Sequence, residues 1–136
     1  MACLDTTVLV DLGGRGGPAL KARAQQFLKS ANDANEPLTT TRFTLAELYL
    51  GIERAHKKEI EEARVANVLE GLVVLEFNDQ AARVFATTMA ELFRTGTPIG
   101  DMDVLIASVA IAHDEVLVTR NAAHFSKISM LTIKAY

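Results

Sequence analysis

An α/β fold, with a central parallel five-stranded sheet covered by helices on both faces, is predicted by two patterns and a bound. Short runs of apolar and β-branched residues recur five times along the chain. Longer segments with helical spacing separate them, and strands that alternate with helices favour a parallel sheet with crossovers packed on both sides. The bound is length: 136 residues suit one compact domain, 1–136, with chain enough for a substantial core. Apolar residues at 49% against 23% charged exclude a disordered chain.

The strand-like runs are Ala2 to Leu4, Leu38 to Thr40, Val73 to Phe77, Val116 to Thr119 and Met130 to Ile133. Between the first two, "PALKARAQQFLKS" begins with Pro18, tolerated in a first helical turn, and repeats Leu20, Ala24, Phe27 and Leu28 at helical spacing. The segment "FTLAELYLGIERA" sets Leu45, Leu48 and Ile52 on one face and Leu50 on another, which predicts a helix covered on more than one side. Its neighbour "KKEIEEARVANVLEGL" is apolar at Ile60, Val65, Val68, Leu69 and Leu72, with Gly71 as a stop, and reads as the second arm of a helical hairpin. A long amphipathic helix follows in "NDQAARVFATTMAELFRTG", ending near Gly96-Thr97-Pro98. The last, "DMDVLIASVAIAH", is apolar almost all round after two Asp residues, the pattern of a buried helix. "GGRGGP" at 13 to 18 is a loop, lacking both the Gly-x-Gly-x-x-Gly and the Walker patterns of a phosphate cradle.

No apolar window approaches the ~20 residues of a membrane span, and no basic-then-apolar leader opens the chain. The expectation is a soluble cytoplasmic protein that makes no membrane contact. The single Cys3 cannot form an internal disulfide. A net charge of −3 marks no general nucleic-acid binder, although a local basic patch would suffice for one.

Acids stand where a parallel α/β sheet places its sites, beyond the carboxyl ends of the strands. Asp5 closes the first apolar run, and an isolated carboxylate in a core costs several kcal/mol unless paired, protonated or bound to a cation. It either caps a turn or short helix at Thr6-Thr7 or helps to hold a cation. Glu47 lies early in its helix, where "TLAE" also matches a capping box. Asp101 and Asp103 open the buried helix, Asp101 at a capping position and Asp103 on the face of Ile106, Ala107 and Ala110. Thr119, Arg120 and Asn121 end the fourth strand, where a hydroxyl and an amide can hold a water or the edge of a metal's shell, or simply form a turn. Three carboxylates within ~4 Å of one another repel by about 4 kcal/mol per pair at an effective dielectric near 20. A cation or proton must offset that, and oxygen ligands select Mg²⁺ or Mn²⁺ over zinc.

In order along the chain, "LDTTVLVDL", "TLAELYLGI", "GTPIGDMDVLIAS" and "LVTRNAAHFSKI" resemble the successive motifs of the PIN-domain ribonucleases, and among them the VapC-type toxins of toxin–antitoxin pairs. The resemblance spans nearly the whole chain. It implies a PIN-like fold and a Mg²⁺ or Mn²⁺ site built from Asp5, Glu47 and Asp103 as the catalytic carboxylates, with Asp101 and Asn121 in support. Many members are acidic where Asn121 stands, which lowers the charge available to a second ion. The resemblance further implies a homodimer and a small VapB-type antitoxin whose tail occupies the acidic site.

An ion held this way lowers the pKa of water and neutralises a scissile phosphate, so the expected reaction is hydrolysis of RNA phosphodiester bonds. Thr119 and Asn121 are candidates for orienting the water. Arg15, Arg42 and Arg120, the basic residues nearest the motifs, are candidates for RNA phosphates, and His124 for an RNA contact. Two alternatives stay open. One is a PIN-like module that binds RNA or a partner without cleaving it. The other is a receiver-like phospho-acceptor domain, suggested by the order of Asp79, Thr119 and Lys134 but opposed by the lack of paired acids after the first strand.

Overall fold

In the computed structural model, which describes residues 1–136, the five strands are β1 (Ala2–Leu4), β2 (Leu38–Thr41), β3 (Val73–Leu75), β4 (Val116–Val118) and β5 (Ile133–Lys134). Their order across the sheet is β3-β2-β1-β4-β5, and every neighbouring pair is parallel. β1 is central, with Ala2 opposite Leu38 on one side and Val116 on the other. The order reverses at β1, between β2 and β4, and a parallel sheet opens its crevice at such a switch point. A receiver-type sheet runs 2-1-3-4-5, so that alternative fails on topology. Its proposed acceptor fails too: Asp79 begins a helix, lies in solvent and pairs with Arg83 at 3.0 Å.

Seven helices connect the strands: α1 (Thr6–Leu12), α2 (Pro18–Asp33), α3 (Arg42–Arg54), α4 (Lys58–Leu69), α5 (Asp79–Thr95), α6 (Asp101–Ala112) and α7 (Ala122–Phe125). Alternation along β1 divides the core between the two faces. Cys3 joins Leu117, Val104, Ile106, Ala107 and Phe125 beneath α5 and α6. Ala2 and Leu4 join Val8, Leu9, Phe27, Leu48 and Val65 beneath α1 to α4. Each large apolar side chain buried in these layers contributes roughly 1.5–3 kcal/mol. Burial also pushes the Cys3 thiol up to about 12, which leaves it an unreactive packing residue.

The long helices follow the sequence closely because their caps and periodicity are local. α5 is capped by Asn78, whose side chain accepts from the Ala81 N–H at 2.8 Å, and ends on Gly96 in the left-handed region at φ 66°. Several expectations are corrected. α3 is not covered on a second side, since Tyr49 and Leu50 are about half exposed, and Ile60 of α4 also faces solvent. The last strand is displaced to Ile133–Lys134, because Ile128 and Leu131 turn into the core and leave Met130 outside. The third and fourth strands stop two and one residues early. No helix is long and apolar enough to cross a membrane.

Candidate active site

At the carboxyl end of β1 the chain enters α1 with Asp5 as its N-cap, Oδ1 accepting from the Val8 N–H at 3.3 Å. Capping and ion-holding, read from the sequence as alternatives, are compatible, because one cap bond leaves most of the carboxylate free. Two hydroxyls also donate to it, Thr7 to Oδ1 at 2.6 Å and Thr119 to Oδ2 at 2.5 Å. Asp5 is only 3% exposed, and burial raises its pKa above the ordinary carboxylate range, the hydrogen bonds opposing this in part.

Glu47 projects from the second turn of α3. The capping box expected at Thr44 to Glu47 does not form. Thr41 is the cap, accepting from the Thr44 N–H at 3.0 Å, and Glu47 is left free for the site. Its Oε1 accepts from the Thr6 hydroxyl at 2.5 Å, which places it beside Asp5 through adjacent residues of α1. Asp103 lies in the first turn of α6, where Gly100 rather than Asp101 is the N-cap. As its helical face predicts, Asp103 is the more enclosed of the pair, and Asp101 is exposed. The Oδ2 of Asp103 meets His124 Nε2 at 2.9 Å. His124 therefore engages a site carboxylate rather than standing apart at the surface.

In this conformation no three acidic, imidazole or thiol side chains draw close enough together to hold an ion between them. Each carboxylate instead rests on its own donor, Asp5 on two hydroxyls, Glu47 on Thr6 and Asp103 on His124. The donor set itself fits a hard cation: carboxylate oxygens dominate, with Glu47 Oε2 and Asp103 Oδ1 lacking any protein donor. Charge separates Asp5 from two other buried acids, whereas Glu115, also buried and without an ion pair, lies just before β4 at the amino end of the sheet and accepts from Thr39. Asp11 is neutralised by Arg120 at 2.9 Å, and Glu61 by Arg64 at 2.9 Å and Arg15 at 3.5 Å. Asp5 and Glu47 form no ion pair with any basic residue of the chain, despite the near-complete burial of Asp5.

The remaining candidates are redistributed. Thr119 is wholly buried, with its hydrogen on Asp5 and its oxygen accepting the Asn121 N–H at 3.0 Å, so its bonds serve to position Asp5. Asn121 is exposed, with its side chain free of any cap role. Arg120 bonds the buried Asp11 through Nε and Nη2 while its side chain stays partly in solvent. Arg42 pairs with Glu76 in solvent beyond β3. Arg15 alone of the three shares a pocket with Glu47, a small cavity that also includes Thr6, Gly51 and Glu61. The sequence reading missed Thr6 and Thr7 as donors and gave no role to Asp11 and Tyr136. The acid of "LVDLGG" inside an apolar run was the available signal for Asp11.

A model of the PIN domain family matches residues 2–130. Among similar proteins, the tRNA(fMet)-specific endonuclease VapC of Salmonella typhimurium is 31% identical over 115 residues, covering 85% of this chain and 87% of that protein. Ribonuclease VapC2 of Rickettsia felis is 32% identical over 100 residues, 74% of this chain and 75% of the relative. The structure of VapBC2 from Rickettsia felis bound to a promoter DNA fragment superposes with a TM-score of 0.85 at 27% identity, covering 99% of this chain and 98% of the other. With the five-stranded parallel sheet, these likenesses establish that the chain belongs to the PIN-domain family, in its VapC branch.

Proposed function

We propose that this protein is a divalent-metal-dependent ribonuclease toxin, restrained by a VapB-type antitoxin, that hydrolyses RNA phosphodiester bonds at Asp5, Glu47 and Asp103. The observation that carries the proposal is the buried Asp5 carboxylate with neutral donors and no basic partner. A second carboxylate without a basic partner, Glu47, stands beside it. The similarity to a ribonuclease and an endonuclease supports the reaction class, and the likeness to structures of VapBC supports the antitoxin.

When bound, Mg²⁺ or Mn²⁺ supplies Lewis acidity toward a phosphate oxygen and acidifies water. The chain's own part is orientation. Thr7 and Thr119 fix the Asp5 oxygens, Thr6 fixes Glu47, and Asp103 keeps one oxygen clear of His124. Arg15, paired with Glu61 at 3.5 Å and lining the pocket of Glu47, is our candidate for an RNA phosphate, and the exposed Asn121 our candidate for orienting water.

Thermal unfolding with Mn²⁺ tests the site. At a hundredfold excess over Kd, binding to the native state alone adds about 2.7 kcal/mol, a rise of roughly 8 °C for a chain of this size. Asp5→Asn should abolish the rise. RNA cleavage should need the metal, fall at least tenfold in Asp103→Asn and persist in Asp101→Asn. A wild-type midpoint indifferent to Mn²⁺ would refute the metal site, and a metal-bound protein that leaves RNA intact would favour the non-cleaving module.

A further inference from the structure

We propose that Asp11, Arg120 and Tyr136 form a clamp that positions the Asp5 carboxylate, acting through the main chain of Arg120 and Asn121. The inference rests on reading Asp5 as an ion ligand, and it adds three positioning residues to that site.

Asp11 lies at the far end of α1 from Asp5 and has no solvent exposure. Three donors converge on its carboxylate: Arg120 Nε at 2.9 Å, Arg120 Nη2 at 3.3 Å and the Tyr136 hydroxyl at 2.5 Å. Tyr136 is itself held, its ring centroid 6.4 Å from that of Phe27 and its main-chain carbonyl accepting from Arg23. A two-pronged guanidinium on a buried carboxylate fixes orientation as well as position. The Arg120 side chain is thus anchored, and its main chain with it.

That main chain carries the effect to the site. The Arg120 N–H donates to Thr7 Oγ1 at 3.0 Å, and the next N–H, of Asn121, donates to Thr119 Oγ1 at 3.0 Å. These are the two hydroxyls that donate to Asp5, at 2.6 and 2.5 Å. A hydroxyl has one hydrogen, and an N–H pointing at its oxygen excludes that hydrogen from the same side. Both hydrogens are thereby directed to Asp5, one to each oxygen. Two consecutive amides of one turn orient both side-chain donors of one carboxylate, and the Asp11 clamp holds the turn.

Mn²⁺ affinity of the full chain, measured by calorimetry alongside unfolding midpoints, tests the clamp without reference to cleavage. Removing an outer partner of a metal ligand typically weakens binding 10–100-fold. Thr7→Val, which keeps shape and loses the hydroxyl, should raise the Mn²⁺ Kd about tenfold, whereas Thr7→Ser should restore it to within about twofold. Tyr136→Phe, which keeps every charge, should raise it about threefold, and Arg120→Gln about tenfold where the protein folds. Asn78→Ala, which removes a distant helix cap, should lower the midpoint and leave the Kd unchanged. Wild-type affinity in Thr7→Val and Tyr136→Phe would overturn the clamp, as would equal weakening by Asn78→Ala or failure of Thr7→Ser to restore. If Asp5→Asn binds Mn²⁺ as wild type does, or wild type binds none, the reading of Asp5 as a ligand falls and the clamp falls with it. Binding lost in Asp5→Asn but kept in Thr7→Val and Tyr136→Phe sinks the clamp alone.

Discussion

Two carboxylates on the same short helix meet opposite fates, and their immediate neighbours decide which. Asp11 is matched by a guanidinium and a phenol, so its charge is neutralised and its place is structural. Asp5, six positions away at the opposite end of α1, receives hydroxyls and an amide and keeps its charge uncompensated. Close packing around Asp11 explains a nearby glycine. A Cβ at residue 16 would lie 2.4 Å from Asp11 Oδ1 and 2.9 Å from Leu20 Cδ1. The carboxylate cannot retreat without losing its bonds to Arg120 and Tyr136. Gly16→Ala is therefore expected to cost about 1–3 kcal/mol of stability, read as a shift in urea midpoint. An unchanged midpoint would show that the 13 to 17 loop yields freely.

Among the elements, what could be read from the sequence follows the range of the interactions that define each one. α5 was legible because the Asn78 cap, the apolar spacing and Gly96 all lie within its own segment. α7 has four residues, too few for a period, and it is anchored by the burial of Phe125. β5 has two residues and is placed by Leu117 donating to the Thr132 carbonyl and Thr119 to that of Lys134. The site divides in the same way. Its acids were legible because each follows a strand or opens a helix, but their partners lie 41 residues away for Thr6 and Glu47, and 114 for Asp5 and Thr119. Only the fold supplies such pairs. Helix capping also bears on Glu47: Thr41 closes β2, caps α3 and so sets the turn from which Glu47 projects. Thr41→Val should cost about 1 kcal/mol, and by fraying the first turn should weaken Mn²⁺ binding while leaving the Arg15–Glu61 pair in place. Full stability in that variant would assign the cap to another group.

Across the whole molecule, the carboxyl edge of the sheet is where function and stability oppose each other. Burial raises the pKa of Asp5, so the folded protein binds its proton more tightly than the unfolded chain, whose value is ordinary, near 3.9. By linkage, the folded state is favoured most below that ordinary value, and the advantage is lost as pH rises through the raised one. Above it, the ionised Asp5 is a standing cost that only a cation offsets. Asp5→Asn removes the charge and keeps the shape, its amide oxygen accepting from Thr7 and the Val8 N–H in place of Oδ1 and its NH2 facing the Thr119 oxygen. The variant should therefore be inactive yet more stable than wild type in chelator at about pH 8, by about 1 kcal/mol. Its advantage should shrink toward about pH 4, as wild-type Asp5 takes up its proton. Saturating Mn²⁺ at pH 8 should reverse the ranking, since only wild type gains from it. Urea midpoints at the two pH values, with chelator and with Mn²⁺, decide the matter. A gain in Asp5→Asn that is constant with pH, or that survives Mn²⁺, would show that its stability arises elsewhere than in the buried charge.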